Sequence, residues 1–149
     1  MSDFARIDID RKKLKLSASA HRAISQRVLE SMGNEWHERY LPLHFEESAT
    51  AIYGYAQRSR KYLKRKQRLH HHQRPLVFSG EAYMLSRQKV IKGNSKTVRV
   101  VLPRKLNRNN PHSRAKMQIE ITKVLKREAE QLQDIGQITL GDQLAKNLT

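Results

Sequence analysis

The chain has 149 residues, of which 38% are hydrophobic and 30% charged, and it contains no cysteine. This length predicts a single domain over residues 1–149 with a modest core. No run of about 18 uncharged apolar residues is present, and the first residues lack the apolar stretch of a secretion signal, so we expect neither a membrane span nor export. The lack of cysteine excludes disulfides, thiolate metal sites and cysteine nucleophiles. We therefore expect a protein that works inside a cell or in an assembly built there.

Positive charge dominates the composition, because 30 Lys and Arg stand against 14 Asp and Glu, for a formal net charge of +16. The excess is confined to residues 48–116, which hold eighteen Lys and Arg and one carboxylate, Glu81. The rest of the chain is close to neutral. Such an excess repels itself in a compact state and attracts nucleic acid, anionic lipid or an acidic protein surface. The composition therefore indicates an anionic partner.

The first part of the chain predicts an arm followed by a helix. Apolar and polar residues alternate near the start, which predicts an extended arm or edge strand over residues 1–18. Apolar residues then recur at every fourth position, which predicts an amphipathic helix over residues 19–41. Ser17 or Ser19 can cap its start, and Pro42 ends it.

The middle of the chain predicts short and irregular helical structure. Residues 43–56 are interpreted as a turn or a short irregular helix, and residues 57–69 as a basic helix. Like charges three and four residues apart in the basic helix each oppose its formation by roughly 0.2–0.5 kcal/mol. We therefore expect this helix to fray alone and to be ordered by an anionic partner.

Short strands are predicted after the basic section. Residues 76–78 form a short apolar run that predicts a strand. Two runs rich in β-branched residues follow at 89–92 and 97–102, and the turn-forming residues 93–95 lie between them. This arrangement predicts a β-hairpin.

The last part of the chain predicts a loop, a helix and a tail. Residues 104–112 predict a polar loop, and the apolar periodicity of residues 113–135 predicts a second amphipathic helix with Gly136 as its C-cap. The tail, 137–149, can add a strand at 137–140. The sequence thus predicts an α+β fold in which two long amphipathic helices pack on a small antiparallel sheet, with an extended N-terminal arm and a basic middle loop or helix.

Catalytic groups are not brought together by the sequence pattern. Metal-assisted phosphodiester cleavage needs several carboxylates at one site, and the basic section holds one. Glu46 and Glu47 are adjacent, but neighbours in sequence point in different directions on a helix or a strand. Neither a glycine-rich phosphate loop nor a nucleophile elbow is present. We therefore expect no enzyme activity, no catalytic residue, no cofactor and no small-molecule substrate.

Three consecutive histidines, His70 to His72, are interpreted as a solvated basic turn. Consecutive residues cannot all face one ion in regular structure, and no second histidine group stands at ligand spacing. We therefore expect no metal site. Below about pH 6.5 the three rings would add positive charge.

The best candidate site is the basic run at residues 57–74, which has eight Lys and Arg and no acidic residue. A charge run is usually a solvated face, but solvated faces normally mix both signs. We therefore expect an anionic partner, either the phosphates of a nucleic acid or a carboxylate-rich protein surface. The residues expected to bind it are Arg58, Arg60, Lys61, Lys64, Arg65, Lys66, Arg68 and Arg74.

Two short runs and the order of the elements resemble a known family. The runs are Arg-Ser-Arg-Lys-Tyr followed by Arg65-Lys66, at residues 58–66, and Pro-Leu-Val-Phe-Ser-Gly-Glu, at residues 75–81. They lie between an amphipathic helix and a hairpin that leads to a closing helix. This arrangement, over roughly residues 20–135, is similar to the neck or tail-completion (head–tail connector) proteins of tailed bacteriophages and phage-like particles. The resemblance implies an α+β subunit that assembles as a ring at the head–tail junction.

This resemblance also implies partners and a location. A protein of this kind is a structural virion protein, assembled in the host cytoplasm, that contacts copies of itself and neighbouring neck, portal or tail proteins. Contact with DNA is left open, and no membrane is involved. An extended arm suits strand addition to a neighbouring subunit. The residues of this subunit-contact arm are Phe4, Ile7, Ile9, Lys12, Lys13 and Lys15.

An alternative hypothesis is a nucleic-acid-binding protein of the ribosome- or chromatin-associated type. It would contact phosphates through residues 57–74, and with eight contacts the logarithm of its affinity should fall against the logarithm of the salt concentration with a slope of roughly −7. A third hypothesis, a nuclease or toxin, needs a catalytic cluster that the sequence does not show.

Overall fold

A computed structural model describes residues 15–77, 80–88, 90–102 and 116–148. These residues are mostly helical and include a two-stranded antiparallel sheet, which confirms the predicted α+β class. The described chain divides into two compact units, and the number of domains stays a prediction. Among the described residues, the first unit contains 15–36, 90–101 and 126–148, and the second contains 37–77, 80–88, 102 and 116–125.

The first unit begins with helix α1, Ala18–Glu35. The Ser17 side chain caps it by accepting the Ala20 N–H at 3.1 Å, as its position in the sequence predicts. Ile24, Val28 and Met32, on the predicted apolar face, are buried. The predicted helix extends to residue 41, but α-helical structure ends at Glu35. A π-helical turn, Trp36–Tyr40, and a 3-10 turn, Leu41–Phe45, follow.

The predicted hairpin is confirmed. Strand β1, Ile91–Gly93, pairs antiparallel with strand β2, Val98–Val100, and Ile91 lies opposite Val100. The Asn94 side chain closes the turn by accepting the N–H groups of Lys96 and Thr97 at 2.8 and 2.9 Å. The hairpin packs on α1, where a Cβ added to Gly33 would lie 2.9 Å from Val98 Cγ2.

Helix α6, Lys126–Leu148, corrects the prediction for the C-terminal part of the chain. The sequence predicts that a helix ends at Gly136 and that residues 137–140 form a strand, but α6 continues through both. A Cβ at Gly136 would lie 2.9 Å from Met32 Sδ and 3.6 Å from Val28 Cγ1. This glycine therefore lets α6 approach α1 closely and does not act as a helix cap.

The second unit is built from short helices. They are α2, Ala49–Ile52; α3, Arg60–His70; α4, Glu81–Ser86; and α5, Met117–Ile121. The irregular structure predicted for residues 43–56 and the basic helix predicted for 57–69 are both present. The helix predicted over 113–135 is interrupted, because residues 122–125 separate α5 from α6.

The strand predicted at residues 76–78 is wrong for the part that the structure describes. Leu76 has a φ of 59° and lies in a turn, Val77 follows outside any strand, and position 78 lies outside the described residues. A positive φ at a branched residue interrupts an extended chain. Helix α4, which the sequence does not predict, begins soon after this turn. The predicted arm up to residue 14 and the predicted loop at 104–112 also lie outside the described residues.

Over the ranges that the structure describes, none of the helices combines the length and the apolar character that crossing a bilayer requires.

Candidate anion-binding helix

Helix α3 is capped at both ends. The Ser59 side chain accepts the N–H of Tyr62 at 3.2 Å, and His71 ends the helix in the left-handed conformation, with a φ of 55°. The His71 N–H donates to the Gln67 carbonyl at 3.0 Å. These contacts satisfy terminal backbone groups of a helix whose like charges oppose its formation.

Five cations form an exposed surface on α3, which we call the cationic side. With 3.6 residues per turn they cover roughly 140° of the helix circumference and a length of about 13 Å. Among the residues that the structure describes, none of the five has a carboxylate within ion-pair distance. The cationic side consists of Arg60, Lys61, Lys64, Arg65 and Arg68.

Two apolar side chains border the cationic side. Tyr62 and Leu69 are 38% and 49% exposed, and a spacing of seven residues places them on the same side of α3. Leu63 and His70 are partly buried, and Lys66 is buried. The helix therefore presents a row of charge next to an apolar strip, while a third side packs against the rest of its unit.

Arg58 faces the interior, so its predicted role in binding a partner is corrected. Its guanidinium forms a two-point ion pair with Glu120, with Nη1 2.7 Å from Oε1 and Nη2 bonded to Oε2. Glu120 is 4% exposed and also accepts the Ala56 N–H at 3.0 Å. The charge of Arg58 is thus matched inside the chain, and the pair anchors the segment before α3 to α5.

Lys66 is also corrected, because it is only 1% exposed. Its Nζ donates to the main-chain carbonyl of Arg74. Burial, with a further contribution from the Arg58 charge, lowers the pKa of Lys66 from 10.5 to about 8. Lys66 cannot meet an external partner in this conformation; it ties α3 to the chain that returns from the helix. For the cationic side and for Arg74, which is exposed, partner binding stays a prediction.

A buried cluster of aromatic rings precedes the segment that the Arg58–Glu120 pair holds. The sequence analysis did not predict this cluster. The His44 ring is fully buried, stacks on Tyr53 with ring centroids 3.9 Å apart, and hydrogen-bonds through Nδ1 to the Tyr55 hydroxyl. Burial lowers the pKa of His44 to about 4, against main-chain hydrogen bonds at Glu120 and Lys123 that raise it. His44 is therefore neutral at physiological pH. The signal in the sequence was the Tyr-Gly-Tyr run, which is too short to indicate that its rings pack on a histidine nine residues earlier.

Lys123, which follows α5, also holds the segment before α3. Its Nζ donates to the carbonyls of Tyr53 and Gly54 at 2.9 and 3.0 Å. Lys123 and Glu120 therefore hold successive residues of the segment that leads into α3. The position of α3 is set by this segment and by the Lys66 contact at its far end.

The histidine triplet is divided by the turn that ends α3. His71 is exposed, while His70 and His72 are partly buried and lie on one side with ring centroids 6.1 Å apart. The structure therefore corrects the prediction of one solvated turn. Within the described ranges, no group of three or more potential metal ligands lies close enough together to hold an ion.

The predicted subunit-contact arm falls almost entirely outside the described residues. The exception is Lys15, which is exposed and has a φ of 53°. The roles of Phe4, Ile7, Ile9, Lys12 and Lys13 stay predictions.

Positive charge is concentrated in the second unit. The residues assigned to it, 37–89 and 102–125, carry seventeen Lys and Arg against five Glu, whereas the rest of the chain carries thirteen against nine acidic residues. The second unit thus accounts for +12 of the formal +16. The cationic side of α3 lies in a field that attracts anions.

Comparison with protein-family models, with curated protein sequences and with solved structures gives no match to this chain. The resemblance to phage neck proteins therefore stays a prediction that rests on the two runs at residues 58–66 and 75–81.

Proposed function

We propose that this chain is a structural protein of the head–tail junction of a phage-like particle, and that it docks on an acidic neighbouring protein through α3. The observation that supports docking is the composition of the surface of α3, where the cationic side lies beside exposed Tyr62 and Leu69. The family resemblance supports the particle.

A protein partner explains more of this surface than phosphates do. Protein interfaces combine apolar and aromatic side chains with a polar rim, and Arg and Tyr are enriched in them. Phosphate groups would use the cations but would leave Leu69 without a role. An acidic partner with an apolar centre would use the charges and the apolar strip together.

The anchors prepare α3 for docking before a partner arrives. The Arg58–Glu120 pair holds the segment before the helix, and the Lys66 hydrogen bond to the Arg74 carbonyl holds the chain after it. Holding the cations in place lowers the entropy lost on binding. A negative partner would also relieve the like-charge repulsion along the helix and accelerate the encounter.

Ring formation is the second part of the proposal. Strands β1 and β2 form a two-stranded sheet, and within the described ranges no third strand pairs with either outer edge. An outer edge can accept an extended segment from another subunit. We propose that the arm at residues 4–16 of one subunit occupies such an edge on its neighbour, which gives a head-to-tail contact that closes into a ring.

Docking is tested with a matched pair of triple variants of the full chain. K61Q/K64Q/R65Q removes three charges from the cationic side of α3, and K92Q/K96Q/R99Q removes three exposed charges from the hairpin. The probe is a fluorescent peptide in which Glu alternates with Leu, and binding is measured by fluorescence anisotropy. We expect the α3 variant to bind at least about tenfold more weakly and the hairpin variant to change less than about threefold. Equal losses would contradict docking through α3.

Ring formation is tested by sedimentation velocity of the full chain and of a variant that lacks residues 1–14. We expect one closed oligomer for the full chain and its loss in the shortened variant. A full chain that stays monomeric at every concentration, with and without the acidic peptide, contradicts the ring.

Nucleic-acid binding is the second candidate, favoured by the +12 of the second unit. Because Arg58 and Lys66 face inward, six of the eight predicted cations remain, which lowers the expected salt slope for duplex DNA from roughly −7 to roughly −5. The triple variant of α3 should reduce it by about 3. A monomer with this slope, and with tighter binding to DNA than to the Glu–Leu peptide, would favour this candidate over the junction protein.

A further inference from the structure

The turn that ends α3 brings two histidines to one cavity. Because His71 is in the left-handed conformation, the chain reverses there, and His70 and His72 come to lie side by side. They line a cavity of about 340 Å³ together with Arg74. A continued α-helix would place these two residues about 200° apart around its axis, so the end of α3 at His71 is what allows them to meet.

The walls of this cavity differ in character. Among the described residues that line it, His70, His72 and Arg74 carry nitrogen atoms, and Glu46 is the one carboxylate. The remaining lining is mainly apolar or aromatic and consists of Phe45, Val77, Gly80 and Tyr83. A few donors within an otherwise largely apolar lining are typical of pockets that orient a small polar group.

The charges around His72 are mainly positive. Burial lowers the pKa of His72, the charges of Lys66, Arg74 and His70 lower it further, and Glu47 acts in the opposite direction. The His72 Nδ1 atom is buried and has no hydrogen-bond partner among the described residues. A proton on Nδ1 would be a buried N–H without an acceptor, which is costly. The tautomer of neutral His72 with its proton on Nε2 is therefore favoured, and Nε2 is then a donor.

We propose that this cavity binds a phosphate group, with the Arg74 guanidinium and the ring N–H groups of His70 and His72 as its donors. Arg presents paired N–H groups that match two oxygens of a phosphate, and imidazole N–H groups add single hydrogen bonds. The buried Lys66 ammonium adds positive charge close to His72. The site does not depend on the docking proposed above, since none of its donors belongs to the cationic side of α3.

The carboxylates limit what the site accepts. Glu46 in the lining and Glu47 near His72 oppose a second negative group, so the site takes one phosphate and not a chain of them. Two sources of that phosphate are chemically equivalent here, namely free inorganic phosphate and one phosphodiester of a nucleic acid. The experiment therefore includes both.

The test follows the histidine ring resonances of the full chain by ¹H–¹⁵N NMR at pH 7 and constant ionic strength. Inorganic phosphate should shift the rings of His70 and His72 and leave the exposed His71 ring unchanged. Arg74→Gln should weaken the response at least about tenfold, because it removes a charged donor pair. Its side chain is exposed, and the main-chain carbonyl that receives Lys66 is retained. Arg68→Gln is the control and should change the affinity less than about twofold.

The source of the phosphate is decided by a second titration with oligo-dT that carries no terminal phosphate. The same shifts at His70 and His72 would support a phosphodiester as ligand, and shifts with inorganic phosphate alone would support the free anion. The proposal is overturned if chloride at equal ionic strength gives the same shifts, if phosphate gives none, or if the Arg68 and Arg74 variants lose the response equally. The variant K61Q/K64Q/R65Q should retain the response, so failure of docking and failure of this site are separate results.

Discussion

Glu120 accepts hydrogen bonds from two residues that lie more than 60 positions earlier in the chain, which no local sequence pattern indicates. It accepts two N–H groups of Arg58 and the main-chain N–H of Ala56, all within an almost fully buried position. A buried carboxylate is stable only if its charge is matched and its oxygens are hydrogen-bonded. Glu120 meets both conditions, and it thereby determines where the chain enters α3.

Replacing Glu120 with Gln should destabilise the second unit. The variant leaves the Arg58 charge without its partner in a position that is 19% exposed, and we expect a loss of about 2–4 kcal/mol in the free energy of unfolding. Urea denaturation followed by far-UV circular dichroism measures this.

Glu130→Gln is the matched control for this substitution. Glu130 lies 3.9 Å from Lys126 in an exposed pair, with side chains 59% and 93% exposed, and its loss should cost less than about 0.5 kcal/mol. Equal effects of the two variants would show that the buried pair has no special contribution.

His44 should make the fold sensitive to acid. Its pKa is about 4 in the folded chain and about 6.5 in the unfolded chain, so the unfolded chain binds more protons as the pH falls below 6.5. Stability is therefore retained above pH 6.5 and lost on acidification, by about 2 kcal/mol between pH 7 and pH 5. Urea denaturation at the two pH values measures the loss.

Variants isolate the contribution of His44 from those of the other acid-titrating groups. His44→Gln should be less stable at pH 7, because the stacked ring is lost, but it should show a smaller decrease between pH 7 and pH 5. His71→Gln changes an exposed ring and should retain the full decrease. A decrease of the same size in all three proteins would contradict the assignment to His44.

At the scale of single residues, the sequence predicts burial better than it predicts partners. The four-residue period of α1 correctly placed Ile24, Val28 and Met32 in the core. The inward positions of Arg58 and Lys66 could not be predicted, because Glu120 lies 62 residues from its arginine and burial of a lysine depends on tertiary packing. Local charge density alone therefore made both residues look available.

At the scale of elements, a glycine within α6 decides how closely two helices pack. Gly136 faces Met32 and Val28 of α1, and its missing Cβ makes room for them. The sequence predicted a helix C-cap here, since glycine is the usual residue after a helix end. From the sequence alone, a glycine that permits close helix packing cannot be distinguished from one that ends a helix, because the residue that faces it is not known.

A matched pair of leucine substitutions in α6 tests this close approach. Gly136→Leu should destabilise the protein by roughly 1–3 kcal/mol, because the new side chain would overlap with Met32. Gly141→Leu should instead be stabilising by up to about 1 kcal/mol, because nothing lies within 4 Å of a Cβ at that position and leucine favours helix more than glycine does. Thermal unfolding compares the two. A stable Gly136→Leu variant would contradict the packing of α6 on α1.

The element predictions were accurate where several adjacent residues indicated the same element, and wrong where a short apolar run was the only indication. The hairpin was correctly predicted because β-branched runs and a turn residue, Asn94, are adjacent in sequence. The apolar run at residues 76–78 is equally short, but the left-handed Leu76 prevents an extended chain there. The basic helix was predicted, whereas the anchors that position it depend on α5, whose residues are far away in the chain.

At the scale of the whole molecule, the composition predicts an anionic partner, and that partner stays a prediction. The excess of positive charge is present in the sequence, and the structure shows that five cations of α3 remain exposed without a carboxylate partner among the described residues. The structure shows in addition that two of the predicted cations, Arg58 and Lys66, face the interior. It also shows the apolar strip beside these cations and the cavity at His70 and His72, on which the docking and phosphate-binding proposals depend.

The same excess of charge predicts how stability responds to salt. Repulsion among the cations opposes the compact state, and raising NaCl from about 0.1 M to about 1 M shortens the screening length from about 10 Å to about 3 Å. The urea midpoint of the full chain should therefore increase with NaCl. In K61Q/K64Q/R65Q the increase should be smaller, because three repelling charges of the cationic side are already gone. The buried Arg58–Glu120 pair is poorly screened and should not offset this trend. A midpoint that falls with salt would mean that attraction between opposite charges outweighs repulsion in the isolated chain, and α3 would then need no anionic partner to relieve it.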